Sequence, residues 1–300
     1  MKAVFARLPT AVDTRIRAFA IATLVAQILI VGTGGAVRLT GSGLGCPTWP
    51  QCTDGSFVAT PEMGIHGAIE FANRLLTFVL IAIAIIMFVL LLRIRHERKD
   101  LFRLALVIGL GIPMQGVIGG ITVLSNLNPY VVGLHFVLSV VLVVLSTVLV
   151  YRVFVGRGGR IVLVPAWYAI VALAAVLLTA ITVLVGIVTT GSGPHSGDGG
   201  ASRNGLNPEW LQHVHSWPAY ALVAVSVVLA IGAFRMPHAR LRKFASVLLL
   251  IELAQVAVGL AQARMGLPEI LVGTHMVLAV CLASAMTAVV LSLREPAPTD

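Results

Sequence analysis

The sequence predicts an all-α integral membrane protein whose eight transmembrane helices form two tandem four-helix bundles. Three observations predict it. The 300-residue chain is 58% hydrophobic and only 11% charged, with a mean hydropathy of +0.98. Eight apolar runs reach the ~20 residues that a helix needs to cross a bilayer. The second half of the chain also repeats the first.

The runs place spans at 17–38, 64–92, 101–123, 130–154, 163–189, 209–234, 241–264 and 269–293. The first is too long for the apolar core of a signal peptide, and no small-residue cleavage site follows it. No cleavable leader is therefore expected.

A net charge of +9 is compatible with a nucleic-acid partner, but its placement points elsewhere. Lys2, Arg7, Arg15 and Arg17 precede the first span. Arg93, Arg95, Arg98, Lys99 and Arg103 lie between spans two and three. Arg152, Arg157 and Arg160 follow span four, and Arg235, Arg240, Arg242 and Lys243 follow span six. The alternate loops hold only Arg38, Arg203 and Arg264. This is the positive-inside pattern with both termini cytoplasmic. It implies contact with anionic lipid and no nucleic acid.

The repeat is visible in particular residues. Gln115 and His135 recur as Gln255 and His275, both shifted by 140. TGSG at 40–43 recurs at 190–193. Glu70, Asn73 and Arg74 align with Gln212, His215 and Ser216, shifted by 142. An even number of spans per unit makes the repeats parallel, with units at 17–154 and 163–293. The halves differ where chemistry would differ. The first keeps a carboxylate, Glu70, and the second keeps a histidine, His215.

Three histidines within spans matter most: His135, His215 and His275. His215 and His275 sit at matched depths on the second and fourth helices of one bundle, which suits bis-His ligation of a haem between facing helices. A zinc ion would need more ligands than that half offers. The first half has His135 but Asn73 opposite it, so a haem held by His135 alone is the simplest expectation. His66 is the nearby rival ligand, seven residues and about 10 Å along the axis from Asn73. His213 points away from His215. His96 and His238 are read as solvated loop residues, and His195 as an exposed loop residue.

Glu70 shares a helix face with His66 and Asn73. With no lasting neutralising partner, it is suited to accept a proton or to stabilise positive charge on a reacting carbon. Arg74 is expected to point roughly 100° away from it and so to be free for a haem propionate. A structural Glu–Arg or Glu–His66 pair is the alternative. Glu252 is the other carboxylate within a span. Cys46 and Cys52 fall in a Gly/Pro-rich loop on the oxidising side. A disulfide is favoured there over a metal-binding or redox thiol pair. Cys281 reads as an apolar core residue.

GGAVRLTGSGLGCPTWPQC, then IEFANR, GLHF, QHVH and GTH, together resemble the haem A synthase family of cytochrome oxidase assembly. The resemblance covers nearly the whole chain and is to a shorter bacterial member of an actinobacterial kind. It implies oxidation of the C8 methyl group of haem O to a formyl group, by successive hydroxylations to a gem-diol that loses water. It implies a haem b, its iron held axially by His215 and His275, and a substrate haem in the first half, where the family His pair falls on positions 73 and 135. The family Glu falls on Glu70, and the family Cys pair falls on Cys46 and Cys52, with a suspected part in disulfide exchange or haem transfer. Haem O synthase and cytochrome c oxidase assembly factors are the implied partners, with room for a homo-oligomer, in the bacterial cell membrane. The chain departs from the family pattern in having Asn73 in place of a His and no Cys in the loop 191–208. Two other functions fit the spans: a b-type cytochrome passing electrons from quinol, and a haem transporter or chaperone.

Overall fold

The computed structural model describes residues 7–296; Lys2 lies outside them. Among the described residues, eight helices are long and apolar enough to cross a membrane. They are α1 (Thr14–Leu39), α2 (Gly64–Leu91), α3 (Lys99–Leu124), α4 (Pro129–Phe154), α5 (Ala166–Ser192), α6 (Pro208–Phe234), α7 (Ala239–Arg264) and α8 (Glu269–Leu291). Their ends fall within three residues of the expected spans. The chain is an all-α integral membrane protein.

Local signals fix the helix ends. The Asp13 side chain accepts from the Ile16 N–H, Asn128 from Tyr130 and Asn207 from Trp210. Each satisfies a donor that the first turn leaves open. Pro129 and Pro208 follow two of these caps, where a missing N–H costs nothing. Pro113 and Pro218 lie inside α3 and α6. The α3–α4 turn has positive φ at Asn126 and Leu127, and the α7–α8 turn at Gly266 and Leu267. These positions are again 140 residues apart.

Packing falls into two sets. One apolar cluster joins Ile16, Met87, Leu101 and Leu149 from α1–α4, and a second joins Tyr168, Leu229, Leu248 and Val289 from α5–α8. Between the sets, α8 packs on α1 and α4, and α4 on α5. Polar links cross this seam. The Thr147 and Ser284 hydroxyls lie 2.8 Å apart, and the Tyr151 hydroxyl donates to the Leu291 carbonyl. Two short strands, β1 (Gly158–Val162) and β2 (Arg294–Pro296), pair antiparallel and tie the α4–α5 loop to the end of the described chain. The apolar runs give no hint of this pair.

Loops gather at two ends. The α2–α3, α4–α5 and α6–α7 loops make a basic end. The α1–α2, α3–α4, α5–α6 and α7–α8 loops make the opposite end, which carries the disulfide Cys46–Cys52. At that end Gly43 N–H donates to the Gly197 carbonyl, and Arg38 donates to the His195 and Thr190 carbonyls. The His195 ring nitrogen Nε2 bonds the Leu267 carbonyl and His238 bonds the Leu163 carbonyl. Neither is the free loop residue expected. A chain turning at an exposed loop leaves carbonyls unpaired, and these rings meet them.

Candidate haem sites

A single cavity of about 1110 Å³ runs through both sets of helices and is lined by His135, His215 and His275. That is at the top of the usual ~300–1,000 Å³ range for small-ligand sites. The sequence suggested two separate pockets; the seam between the sets leaves them joined.

In the second set, the ring centres of His215 (α6) and His275 (α8) are 6.1 Å apart, with the rings at 75°. Two imidazoles bonded at about 2 Å on opposite sides of one metal hold their ring centres roughly 6 Å apart. The His215 Nδ1 is taken up by the Thr182 carbonyl at 3.0 Å. No hydrogen bond engages Nε2 of either ring among the described residues. A fixed Nδ1 with a free Nε2 is the usual state of a metal-bound imidazole, and His215 has it, whereas the buried Nδ1 of His275 has no partner among the described residues. Among the described residues no three His, Cys, Asp or Glu come together as a metal-binding group. The pair therefore suits an iron whose remaining bonds come from a porphyrin.

Each histidine also has room made for it on the preceding helix. A Cβ at Gly186 would stand 2.8 Å from His215 Cε1, and one at Gly259 would stand 3.1 Å from His275 Cε1. At Gly119 it would stand 3.4 Å from His135 Cε1. Gln255 donates to the His275 carbonyl at 3.0 Å, as Gln115 does to that of His135 at 3.1 Å. The same glutamine-to-carbonyl bond thus supports the backbone at both His135 and His275. Gly186 and Thr182 carried no signal in the sequence; for Gly119 and Gly259 the 140-residue shift was the available one.

The first set keeps one imidazole. Asn73 lines the cavity, and its Oδ1 accepts from the Thr33 hydroxyl at 2.8 Å. His66 does not join it. His66 is exposed, its Nδ1 lies 2.9 Å from the Ser42 hydroxyl, and it borders a separate surface pocket. The expectation that it could replace Asn73 as a ligand fails, because α2 begins at Gly64 and its first turn stands in the loop layer, above the cavity.

The expectation that Glu70 lacks a partner is also overturned. Four residues advance a helix by about 400°, which returns Arg74 to within ~40° of Glu70. The Arg74 Nη2 lies 2.6 Å from Glu70 Oε1. The same guanidinium donates to the carbonyls of Cys46, Thr48 and Gln51. Glu70, 6% exposed, accepts the Cys46 N–H on Oε2 at 2.7 Å. Arg74 is thus committed to the disulfide loop rather than free for a propionate. The pair latches that loop down onto α2. Trp49 then packs against Gly120 of α3, and Trp49, Phe57 and Val58 roof the first set's part of the cavity. Arg38, which lines the same cavity, has no carboxylate partner among the described residues. Cys281 is a free, half-buried thiol in α8.

The model of the COX15-CtaA family, described as cytochrome oxidase assembly protein, matches residues 17–287. Curated relatives named heme A synthase include those of Bacillus pumilus, 32% identical over 47% of this chain and 44% of the relative. The Geobacillus kaustophilus protein is 32% identical over 45% and 43%, and that of Listeria welshimeri is 26% identical over 46% of each. The matched stretch spans about half the length of these relatives.

Proposed function

Because the chain belongs to the haem A synthase family of cytochrome oxidase assembly proteins, we propose that it oxidises the C8 methyl group of haem O, by successive hydroxylations, to the formyl group of haem A. The observation that carries this reading is the asymmetry along one cavity. Two facing imidazoles stand in one half, and one imidazole, an amide and a carboxylate stand in the other.

In this reading residues 163–293 form the haem b unit, whose iron His215 and His275 would hold. The bound haem supplies one-electron redox chemistry beside the substrate. Thr182 fixes the His215 tautomer and orientation through Nδ1. Gln255 supports the His275 backbone carbonyl, and Gly186 and Gly259 leave room for the two rings.

Residues 17–154 form the substrate unit. His135 binds the iron of haem O from one side, and Asn73 leaves the other side without a strong ligand. Glu70 stands in the cavity wall as the group that stabilises positive charge developing at the methyl carbon. Arg74 and the Cys46 N–H hold it there. Arg38, which lines the cavity without a carboxylate partner among the described residues, keeps Nη1 for a propionate while its Nε and Nη2 hold the His195 and Thr190 carbonyls. The roof formed by Trp49, Phe57 and Val58 keeps water from the reacting edge. Both termini lie in the cytoplasm of a bacterial cell, with the Cys46–Cys52 loop outside. The substrate comes from a haem O synthase, and the product goes to cytochrome c oxidase assembly.

The test is pigment extraction from protein purified out of cells that make haem O. Haem b together with haem O or haem A is expected. Two equal copies of haem b would replace this reading with that of a b-type electron carrier. A protein carrying haem loosely, with normal haem A in cells bearing only Glu70→Ala, would favour a haem carrier.

A further inference from the structure

Glu252 lies mid-helix in α7 and has no part in the reaction proposed above. It is 2% exposed. Its Oε1 accepts from the Ser226 hydroxyl of α6 at 2.8 Å, and its buried Oε2 has no partner. An unpaired carboxyl oxygen in an apolar membrane helix is costly and seldom kept without a use. The side chain lines the same cavity as His215 and His275. Gln255, which holds the His275 carbonyl, and Gly259, which seats its ring, are three and seven residues further along α7. At 1.5 Å per residue these lie about 4.5 and 10.5 Å from Glu252 along the axis. Glu252 therefore floors the histidine pair on the side of the basic end.

The first half has nothing comparable. The 140- and 142-residue shifts place Ile112 and Ala84 where Glu252 and Ser226 stand, and both are buried apolar residues. The polar pair serves only the half with two imidazoles.

We propose that Glu252 is a redox-linked proton site for the haem held by His215 and His275. As that iron takes one electron from a one-electron donor and passes from ferric to ferrous, Oε2 takes one proton from solvent and the carboxylate becomes a neutral acid. Reoxidation releases both. The charge within the buried site is then the same before and after, which matters where the dielectric is low. This inference rests on the haem b reading above.

Other groups leave this role to Glu252. Among the described residues it has no ion-pair partner. The helices packed against α7 are α6 and α8. On α6 the titratable groups are Glu209, His213, His215 and Tyr220, at least six residues from Ser226 towards the disulfide end. On α8 they are Glu269, His275 and Cys281. On α7 itself, Arg240, Arg242 and Lys243 are at least nine residues before Glu252, and Arg264 is twelve after it.

The test is a spectroelectrochemical titration of the purified, haem-loaded full chain at a series of pH values. An ionised carboxylate disfavours the added electron, so the parent midpoint potential falls as pH rises, by at most ~59 mV per tenfold drop in proton concentration. Glu252→Gln, always neutral, keeps the bis-His spectrum, loses the slope and stays near the parent's low-pH value. Ser226→Ala removes a donor that favours the ionised carboxylate, so it moves the falling region to higher pH. A parent midpoint that does not change with pH, or an equal slope in Glu252→Gln, overturns the inference. If Glu252→Gln fails to load haem, an unshifted titration in Ser226→Ala overturns it instead. Absence of any bis-His spectrum in the parent would sink the haem b reading itself.

Discussion

The two halves of the molecule hold the same framework around different contents. Both set a glutamine under the carbonyl of the ligand helix, and both seat an imidazole against a glycine. The second half then closes its site with His215 and keeps Gln212 and Ser216 where the first has a carboxylate and a guanidinium. The first half instead uses Glu70 and Arg74 to pin a disulfide-closed loop over its part of the cavity. The difference shows how two similar sets of helices can carry different contents. On the function proposed above, the second set would hold its haem through two imidazoles and pass electrons, and the first would leave its iron open on one side beneath the Trp49 loop.

That division can be broken most severely at the ligands. His275→Ala or His215→Ala should abolish the low-spin haem spectrum, whereas His135→Ala should leave it intact. Equal losses from all three would mean that the halves are not independent sites. The next largest effect falls on the first half alone. Arg74→Ala strands Glu70 in the cavity wall, and breaking such a buried pair costs about 3 kcal/mol. The thermal midpoint in detergent should drop and the 41–60 loop should become open to protease, with the low-spin spectrum unchanged.

A graded comparison comes from the glycines. Gly186→Ala puts a Cβ 2.8 Å from His215 Cε1, Gly259→Ala 3.1 Å from His275, and Gly119→Ala 3.4 Å from His135. Haem retention through purification should fall most for the first, less for the second and hardly at all for the third. The ordering would be lost if the rings were mobile in the loaded protein. The smallest change is Asn73→His, which gives up the Thr33 bond, worth about 1 kcal/mol. It should convert part of the first-half haem to a low-spin form in the absorption spectrum, narrowing the difference between the halves.

Much of this plan was readable in the chain, because a bilayer demands long apolar helices and the helices take their ends from local signals. Asp13, Asn128 and Asn207 cap where they stand, and the 140-residue shift pairs even the backbone of the α3–α4 and α7–α8 turns. The disulfide followed from two cysteines six residues apart in one short loop. What escaped the sequence depends on how loops lie on helices. Glu70 was read as solitary because Arg74 was given one residue's turn of about 100° instead of the ~400° that four residues make, and the carbonyls that also hold Arg74 belong to a loop more than twenty residues away. His66 looked like a ligand because it shares the face of Glu70, but the first turn of α2 lies among the loops. The joined cavity depends on how the two sets meet, which no repeat within either set encodes.

The room left for each imidazole has a consequence for how this protein can vary. At three sites the side chain that would bind iron and the absent Cβ that admits it lie on different helices, so neither can be exchanged without regard to the other. The fourth position differs. Asn73 faces Gly34, whose Cβ would stand 4.0 Å from the Asn73 amide nitrogen. That contact is looser than those at Gly186, Gly259 and Gly119. Position 73 is therefore the place where a single substitution, made at the expense of the Thr33 bond, tests both ligation states of the proposed substrate iron.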